Sequence, residues 1–294
     1  MFRHPYREGL DFAALFFRVV ITRPWGGGMA SLREMPLNFL LACRAFFVFE
    51  NAHHYFRALL EKNPARALLK TRSGLDIVFR QNLYDARILR ESFLERPYLA
   101  GGLTPAVILD IGGYIGDFAV FAAKHLGSRV IVYEPTEENL ELLEENVVRN
   151  NLQDLIEFHS CALAAAEGSM GLWIQKSTAG EIHVSSTTYG THSTAPVRRI
   201  VESTTLPRIL ERHGLTSVDL LKVDIEGGEY DVFESAPDHV FAGIHNIVFE
   251  YHPIQGYEPR LRVIEDRLVS LGYRVHRHGS LVRARRPSPE RRRG

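Results

Sequence analysis

The stretch from Val107 to Pro135, VILDIGGYIGDFAVFAAKHLGSRVIVYEP, decides the fold. It opens with an apolar run that ends on Asp110, passes through a glycine turn and a helix-spaced apolar face, and closes with a second apolar run that ends on Glu134. Strand, glycine loop, helix and strand in this order predict the first βαβ unit of a nucleotide-binding α/β fold. Glycine lets a ligand approach the backbone, and a terminal acid can accept both hydroxyls of a ribose.

The spacing of the glycines indicates which ligand is bound. A dinucleotide fold requires G-x-G-x-x-G, but Tyr114 and Asp117 occupy the positions of its last two glycines. The sequence instead has Asp110, Gly112 and Gly116 in the pattern D-x-G-x-x-x-G. An acid before the turn suits an ammonium group and repels a phosphate. A ligand with a ribose and an amino-acid end but no phosphate is S-adenosylmethionine. A turn whose glycines serve only tight packing remains the alternative.

Composition limits the classes of partner. Lys plus Arg and Asp plus Glu both number 35, so no overall charge attracts nucleic acid or acidic lipid, and no nucleic-acid partner is expected. The cysteines Cys43 and Cys161 have no metal-binding or redox spacing, which predicts a reducing cytoplasmic location. No window approaches the roughly 20 apolar residues of a membrane-spanning helix, so no transmembrane segment is expected.

Three regions are predicted along the chain. Residues 1–70 form a helical extension with helices at Leu10–Ile21 and Leu37–Leu60, separated by a proline- and glycine-rich break. The aromatic-rich helices predict a cap on the domain or a homo-oligomer contact, with a membrane-surface role as the alternative. Residues 71–285 form the α/β domain. Residues 286–294 are basic and lack apolar side chains, which predicts a disordered tail.

The other segments of the α/β domain alternate between helix and strand patterns. They predict a doubly wound, Rossmann-like and mostly parallel sheet with an antiparallel C-terminal hairpin. Helices are predicted at Ala86–Leu94, Glu137–Asn150, Leu206–His213, Tyr230–Glu234 and Pro259–Leu271. Strands are predicted at Gly74–Phe79, Ile156–Ala162, Val218–Val223 and Ile247–Tyr251, an edge strand at Arg198–Thr204, and hairpins at Gly168–Ile174 with Ile182–Thr188 and at Tyr273–His278 with Ser280–Arg285.

Six segments carry a resemblance to a known family. In chain order they are DIGGYIG (110–116), YEP (133–135), NVVRNN (146–151), TTLPRIL (204–210), VDLLKVDIEGGEYDVF (218–233) and IVFEYHP (247–253). Together they resemble the FkbM-type family of S-adenosylmethionine-dependent methyltransferases, over roughly Leu75 to Pro253. The resemblance implies a class I methyltransferase sheet and O-methylation of a hydroxyl on a sugar, glycoside or natural product.

The resemblance also assigns the cofactor contacts and shows where the sequence departs from the family. The family loop usually reads Gly-Ala-Asn, whereas here it reads Gly112-Gly113-Tyr114, so Tyr114 must fit near the amino-acid end of the cofactor or turn away. In the class I arrangement the turn after the third strand faces the adenine. This implies a backbone contact from Cys161 or Ala162, and Cys161 is interpreted as a packing residue because no activating base lies nearby in the sequence.

Methyl transfer to a hydroxyl is helped by a general base. The carboxyl ends of the strands offer Asp224, Glu226, Glu250 and His252, of which Asp224 and His252 are preferred, and Asp224 also borders the cofactor. The period of two places Glu250 and His252 on one face of their strand. These four residues could also hold a divalent cation, but no metal-ligand spacing favours one, so no metal ligand is assigned.

Several other functions stay open at this point. A protein or another acceptor could replace the saccharide or small molecule, and the fold could serve binding without catalysis. The intact Asp224–Glu226 block argues against a purely binding role. The glycine spacing disfavours an oxidoreductase.

Overall fold

The computed structural model describes residues 35–60, 65–176, 182–183, 197–253 and 256–287. They belong to two compact units, one up to Pro97 and one from Tyr98 onward. Within these ranges no helix has both the length and the apolar character needed to cross a membrane. The predicted helix Leu10–Ile21 and nearly all of the predicted tail lie outside the described residues.

The first unit combines helices with a two-stranded antiparallel sheet. Its elements are α1 (Met35–Val48), α2 (Ala52–Ala58), β1 (Arg66–Lys70), β2 (Asp76–Arg80) and α3 (Leu83–Leu89), followed by a π-helical turn at Arg90–Glu95. Its core is aromatic, since the ring of Phe49 lies 5.3 Å from that of Tyr55 and 6.0 Å from that of Phe93, centre to centre. Whether residues 1–70 act as a cap or an oligomer contact stays a prediction.

The prediction of one helix over Leu37–Leu60 was wrong, because the chain leaves the helix at Phe49–Asn51. The side chain of Asn51 donates to the carbonyl oxygen of Leu68 at 2.8 Å and accepts from the amide of Lys70 at 2.8 Å. It thereby satisfies two backbone groups at the edge of β1, as a neighbouring strand would. Strand β1 itself was not predicted.

The second unit is built on a seven-stranded sheet in the order β12-β13-β11-β10-β3-β4-β5. Only β13 runs opposite to the other six strands, so the prediction of a mostly parallel sheet with an antiparallel C-terminal hairpin is confirmed. The strands are β3 (Val107–Ile111), β4 (Arg129–Tyr133), β5 (Ile156–His159), β10 (Leu220–Val223), β11 (Asn246–Glu250), β12 (Arg274–His278) and β13 (Leu281–Arg285). The helices are α4 (Asp117–Leu126), α5 (Glu137–Arg149), α6 (Leu206–Arg212), α7 (Glu229–Ser235) and α8 (Tyr257–Ser270).

The order in which the chain adds strands to the sheet reverses between β3 and β10, although the strands themselves stay parallel. From β3 the chain adds β4 and β5 on one side, whereas from β10 it adds β11 on the other. In open α/β sheets, ligands bind beyond the carboxyl ends of the strands at such a reversal. The fold therefore directs attention to the residues that end β3 and β10, namely those around Asp110 and Asp224.

A second sheet has the order β6-β9-β7-β8, from β6 (Ala162–Leu163), β7 (Gly168–Lys176), β8 (Ile182–His183) and β9 (Val197–Thr204). Two predictions need correction here. The predicted third strand, Ile156–Ala162, is split, because after His159 the chain leaves the seven-stranded sheet and Ala162 pairs with β9 instead. The predicted edge strand Arg198–Thr204 is an inner strand between β6 and β7. Most of the predicted strand Ile182–Thr188 lies outside the described residues.

Candidate functional site

Asp110 and Lys222 form a buried ion pair between the two central strands. They are opposite each other in the parallel register of β3 and β10, and Lys222 Nζ lies 2.7 Å from Asp110 Oδ1. Asp110 is 0% exposed and Lys222 is 4% exposed. The adjacent Leu109 and Leu221 belong to the apolar core cluster. Since side chains alternate along a strand, the ion pair lies on the opposite face of the sheet.

Lys222 also binds the backbone of the glycine turn. Its Nζ donates to the carbonyl oxygen of Gly112 at 3.1 Å and lies 5.1 Å from the centre of the Tyr98 ring. Burial lowers the pKa of Lys222, but the carboxylates of Asp110 and Asp224 outweigh burial and hold this pKa above its ordinary value. Asp110 Oδ2 has no hydrogen-bond partner among the described residues. That Asp110 binds the ammonium group of a cofactor stays a prediction, and Oδ2 is the atom left for such a contact.

The glycine turn packs directly on the end of β10. Gly112 has φ +80°, and a Cβ there would lie 1.7 Å from the carbonyl oxygen of Asp224, so both the conformation and the space require glycine. A Cβ on Gly113 would lie 2.0 Å from Cγ1 of Val132, and one on Gly116 would lie 3.0 Å from Cγ of Leu143. Close packing therefore accounts for these glycines by itself, and their contact with a cofactor stays a prediction.

Glu134 lies buried behind this turn. Its Oε2 accepts from the backbone amide of Tyr114 at 3.0 Å, and its Oε1 accepts from the amide of Thr136 at 2.9 Å and from Nδ2 of Asn139 at 3.2 Å. Tyr114 is buried and has φ +49°, an uncommon conformation for a non-glycine residue. Burial raises the pKa of Glu134, and the hydrogen bonds oppose that shift. Oε2 keeps acceptor capacity for a ligand hydroxyl.

The predicted acidic residues meet His252 beyond the ends of β10 and β11. His252 Nε2 lies 3.2 Å from Glu226 Oε2 and 3.9 Å from Asp224 Oδ1. On the other side of the ring, Nδ1 lies 3.0 Å from Oε1 of Glu229, which is fully buried. Glu226 has φ +56°. This strained backbone is consistent with a functional site, where such conformations concentrate.

Glu229 fixes the orientation of the His252 ring. Its Oε1 accepts from the amide of Ile225 at 3.0 Å and its Oε2 from the amide of Gly227 at 2.9 Å. The ligand atoms of Asp224, Glu229 and His252 lie within 4.8 Å of one another, the spacing of a metal site. Because both oxygens of Glu229 already accept hydrogen bonds from backbone amides, which a bound cation would weaken, we do not assign one here.

The pKa of His252 bears on its predicted role as a base. Burial lowers this pKa, but the hydrogen bond that the ring donates to Glu229 and the charges of Glu226, Glu229 and Asp224 outweigh burial and raise it to about 10. The ring therefore carries a proton at neutral pH and has no lone pair to offer. That His252 is the base stays a prediction, and the raised pKa favours Asp224 over it.

The raised pKa of His252 predicts how the free energy of unfolding depends on pH. Since the pKa in the folded protein exceeds the ordinary value of 6.5, protonated His252 stabilises the fold fully below pH 6.5, and this contribution is lost as the pH rises through about 10. We expect the difference in free energy of unfolding between the unmodified protein and His252→Asn to shrink from pH 6.5 towards pH 10, measured by urea unfolding. His276→Asn, at an exposed position of β12, is the control. A difference for His252→Asn that grows with pH would contradict the assigned charge.

The remaining predicted residues are placed as follows. Glu250 ends β11 and accepts from Ser280 Oγ at 2.7 Å, and burial together with the charge of Asp224 raises its pKa. Cys161 belongs to the apolar core, and burial raises the pKa of its thiol, which suits a packing residue rather than a nucleophile. The adenine contact predicted for Cys161 or Ala162 stays a prediction.

Sequence reasoning missed Lys222, Tyr98 and the role of Glu229. Lys222 left a signal, since it is the one charged residue in the strand Leu220–Val223. Tyr98, whose hydroxyl lies 3.4 Å from Asp224 Oδ2, left none, because 126 residues separate the two in the chain. Glu229 begins α7, a position that by itself indicates only an interaction with the helix dipole, whereas the structure shows that it binds His252.

Comparison with known proteins shows which proteins this chain is similar to. The methyltransferase FkbM domain matches residues 110–275. "Methyltransferase 1" of Beauveria bassiana (strain ARSEF 2860) is 26% identical over 183 residues, covering 55% of this chain and 72% of that protein. "31-O-demethyl-FK506 methyltransferase FkbM" of Streptomyces tacrolimicus is 26% identical over 204 residues, covering 60% and 78%. A solved SAM-dependent methyltransferase from Agrobacterium tumefaciens is 12% identical with a TM-score of 0.43, covering 76% of this chain and 70% of that one.

Proposed function

The chain belongs to the FkbM methyltransferase family, and from this premise we propose that it methylates a hydroxyl oxygen of a sugar, glycoside or natural product. The observation that carries the proposal is the carboxylate of Asp224, which directly follows β10 at the reversal point of the sheet. The name of the Streptomyces tacrolimicus relative states that it acts on an oxygen, which supports the same chemistry here.

The family implies S-adenosylmethionine, and the residues present fit it. When bound, this cofactor supplies a methyl group on a positively charged sulfur. Glu134 Oε2 has acceptor capacity for a ribose hydroxyl, because one amide donates to it. Asp110 Oδ2, buried without a partner, suits the ammonium group.

Asp224 is the proton acceptor in this proposal. Its Oδ2 lies 3.4 Å from the Tyr98 hydroxyl and its Oδ1 lies 3.9 Å from His252 Nε2. Both separations exceed those of strong hydrogen bonds. The carboxylate therefore keeps lone pairs for the hydroxyl of the acceptor. Glu226, 3.2 Å from Nε2, is the closer partner of the imidazolium and leaves Asp224 less engaged.

The net charge of the residues around His252 limits which class of acceptor can bind. Asp224, Glu226 and Glu229 surround one imidazolium, so the group carries an excess of negative charge. Such a potential attracts a cationic cofactor and repels a phosphate-rich acceptor. It therefore supports a neutral hydroxyl compound over nucleic acid. The cytoplasmic location remains part of the proposal.

Glu134→Ala is expected to weaken the binding of S-adenosylhomocysteine. The substitution removes an acceptor that we assign to the ribose, and a hydrogen bond to a charged group contributes about 1.5–3 kcal/mol. Titration calorimetry measures the loss, with NAD expected to be inert. The matched control is Glu144→Ala, at an exposed position of α5. Equal affinity in the two variants would remove Glu134 from the site.

The acceptor can be found by following the methyl group. Purified protein and isotopically labelled S-adenosylmethionine are incubated with whole-cell extracts from the producing strain and from a strain that lacks the protein, and small molecules, protein and RNA are then separated. The label should enter an O-methyl ether in the extract of the deletion strain, where the unmethylated acceptor accumulates. Label in protein or RNA instead would refute the proposed acceptor class.

Subunit pairing through the N-terminal helices also remains a proposal. On α1, Phe39, Leu40 and Phe47 are 50%, 62% and 79% exposed. Large apolar side chains exposed together are typical of interaction surfaces. Light scattering of the full chain and of Phe47→Glu tests it, and an unchanged monomeric mass in both would refute it.

A further inference from the structure

Glu157, His159 and His213 bring two imidazoles and a carboxylate together outside the group around Asp224. His159 Nε2 lies 3.1 Å from Glu157 Oε1, and His213 Nδ1 lies 3.5 Å from Glu157 Oε2. One ligand atom from each of the three residues can be chosen such that all lie within 4.8 Å of one another. A single ion could therefore contact all three side chains with small adjustments.

Secondary structure explains why the three side chains meet. Glu157 and His159 are two residues apart on β5, so they share one face of this edge strand. His213 follows the last residue of α6. Two separate elements thus contribute to the cluster, which joins the end of α6 to the edge of the seven-stranded sheet.

Tyr133 contacts the imidazole rings of both His159 and His213. It is opposite His159 in the register of β4 and β5, and the two rings stack with their centres 4.8 Å apart. Its hydroxyl lies 3.0 Å from His213 Nε2. If Nε2–H donates to this oxygen, the lone pair of Nδ1 faces Glu157. A hydrogen bond to the second ring nitrogen is the usual support of a metal-binding histidine.

We propose that Glu157, His159 and His213 bind a zinc ion or a similar transition-metal ion. Imidazole nitrogen with one carboxylate is a typical zinc donor set, whereas Mg²⁺ and Ca²⁺ prefer oxygen ligands. Three protein ligands leave a fourth position to water or another ligand. The side chain of Glu157 is 46% exposed and that of His213 is 5% exposed, so this position opens on the Glu157 side.

One cation already competes for Glu157. Arg129 Nη2 lies 3.7 Å from Glu157 Oε2, with side chains 50% and 46% exposed. Exposed ion pairs of this kind contribute little to stability. The metal therefore displaces a weak contact. This proposal does not depend on the proposed function, since none of the three residues has been assigned to methyl transfer.

The test uses the full chain without a histidine tag, freed of metal by a chelator and then titrated with Zn²⁺ in a calorimeter. We expect one equivalent to bind and the melting temperature to rise. His159→Gln and His213→Gln should each weaken binding by at least about tenfold, as loss of a direct ligand exceeds loss of a supporting group. Far-UV circular dichroism checks that both variants fold.

Two control variants make the result specific. His276→Gln, at an exposed position of β12, and His252→Gln should both retain the zinc affinity of the unmodified chain. Loss of binding in His252→Gln with retention in the His159 and His213 variants would place the metal beside Asp224 and overturn the proposal. Binding that does not saturate at millimolar Zn²⁺ would overturn it as well.

Discussion

Asp224→Asn is expected to lower the rate of methyl transfer by at least about tenfold, because a general base contributes about 10²–10⁴-fold to such a reaction. The substitution keeps the size of the side chain and removes its charge and basicity. His252 cannot replace it near neutral pH, because its pKa is raised to about 10, chiefly by Glu229 and Glu226 against the effect of burial. The acceptor hydroxyl then loses the group best placed to take its proton.

Two measurements separate this role from cofactor binding. Calorimetry should show nearly unchanged affinity for S-adenosylhomocysteine in Asp224→Asn, while single-turnover assays show the slower transfer. Asp266→Asn, at an exposed position of α8, controls for the loss of a surface charge. Full activity in Asp224→Asn with a slow Glu226→Gln would move the base to Glu226. Full activity in both variants would mean that positioning of the acceptor suffices.

The central unit was predictable because its signals are local. The apolar runs of β3 and β4, the glycines between them and the periodic face of α4 all lie within 29 consecutive residues. Gly112 and Gly116 have φ angles of +80° and +76°, a conformation that glycine adopts readily, so the turn too follows from the local sequence. Residues that act through close neighbours in the chain leave a pattern that can be interpreted without a structure.

Long-range contacts explain the wrong predictions. The helix predicted over Leu37–Leu60 breaks because Asn51 binds the backbone of Leu68 and Lys70, 17 and 19 residues away. The strand β9 is internal because Ala162 pairs with Ser203 on one of its sides. Periodicity reports which faces are apolar, but it does not report which strand becomes the neighbour.

The candidate site also contains features that the sequence predicts and features that depend on distant residues. Asp224, Glu226 and His252 were predicted as a group from strand ends, and the structure brings them together. The charge of His252 could not be predicted, because it depends on Glu229 and on burial, which only the fold determines. The same holds for Lys222, whose partner Asp110 is 112 residues away.

Lys222→Met is expected to lower the free energy of unfolding by about 3–5 kcal/mol, the usual loss when one partner of a buried ion pair is removed. Lys222 Nζ lies 2.7 Å from Asp110 Oδ1 in a site where Asp110 is fully buried. Without Lys222, the carboxylate of Asp110 remains buried with no cation beside it, and Oδ2 already lacks a partner. Urea unfolding at neutral pH measures the change.

The double variant Asp110→Asn/Lys222→Met decides whether the loss comes from the unpaired charge. It removes both charges, and replacement of a whole buried pair is often close to neutral, so we expect it to recover a large part of the stability lost in Lys222→Met. Lys124→Met, at an exposed position of α4, should change stability by less than about 0.5 kcal/mol. A double variant no more stable than Lys222→Met would show that the lysine acts by packing against Tyr98 and Phe118, over whose ring centres its Nζ lies at 5.1 and 5.8 Å, and not by neutralising Asp110.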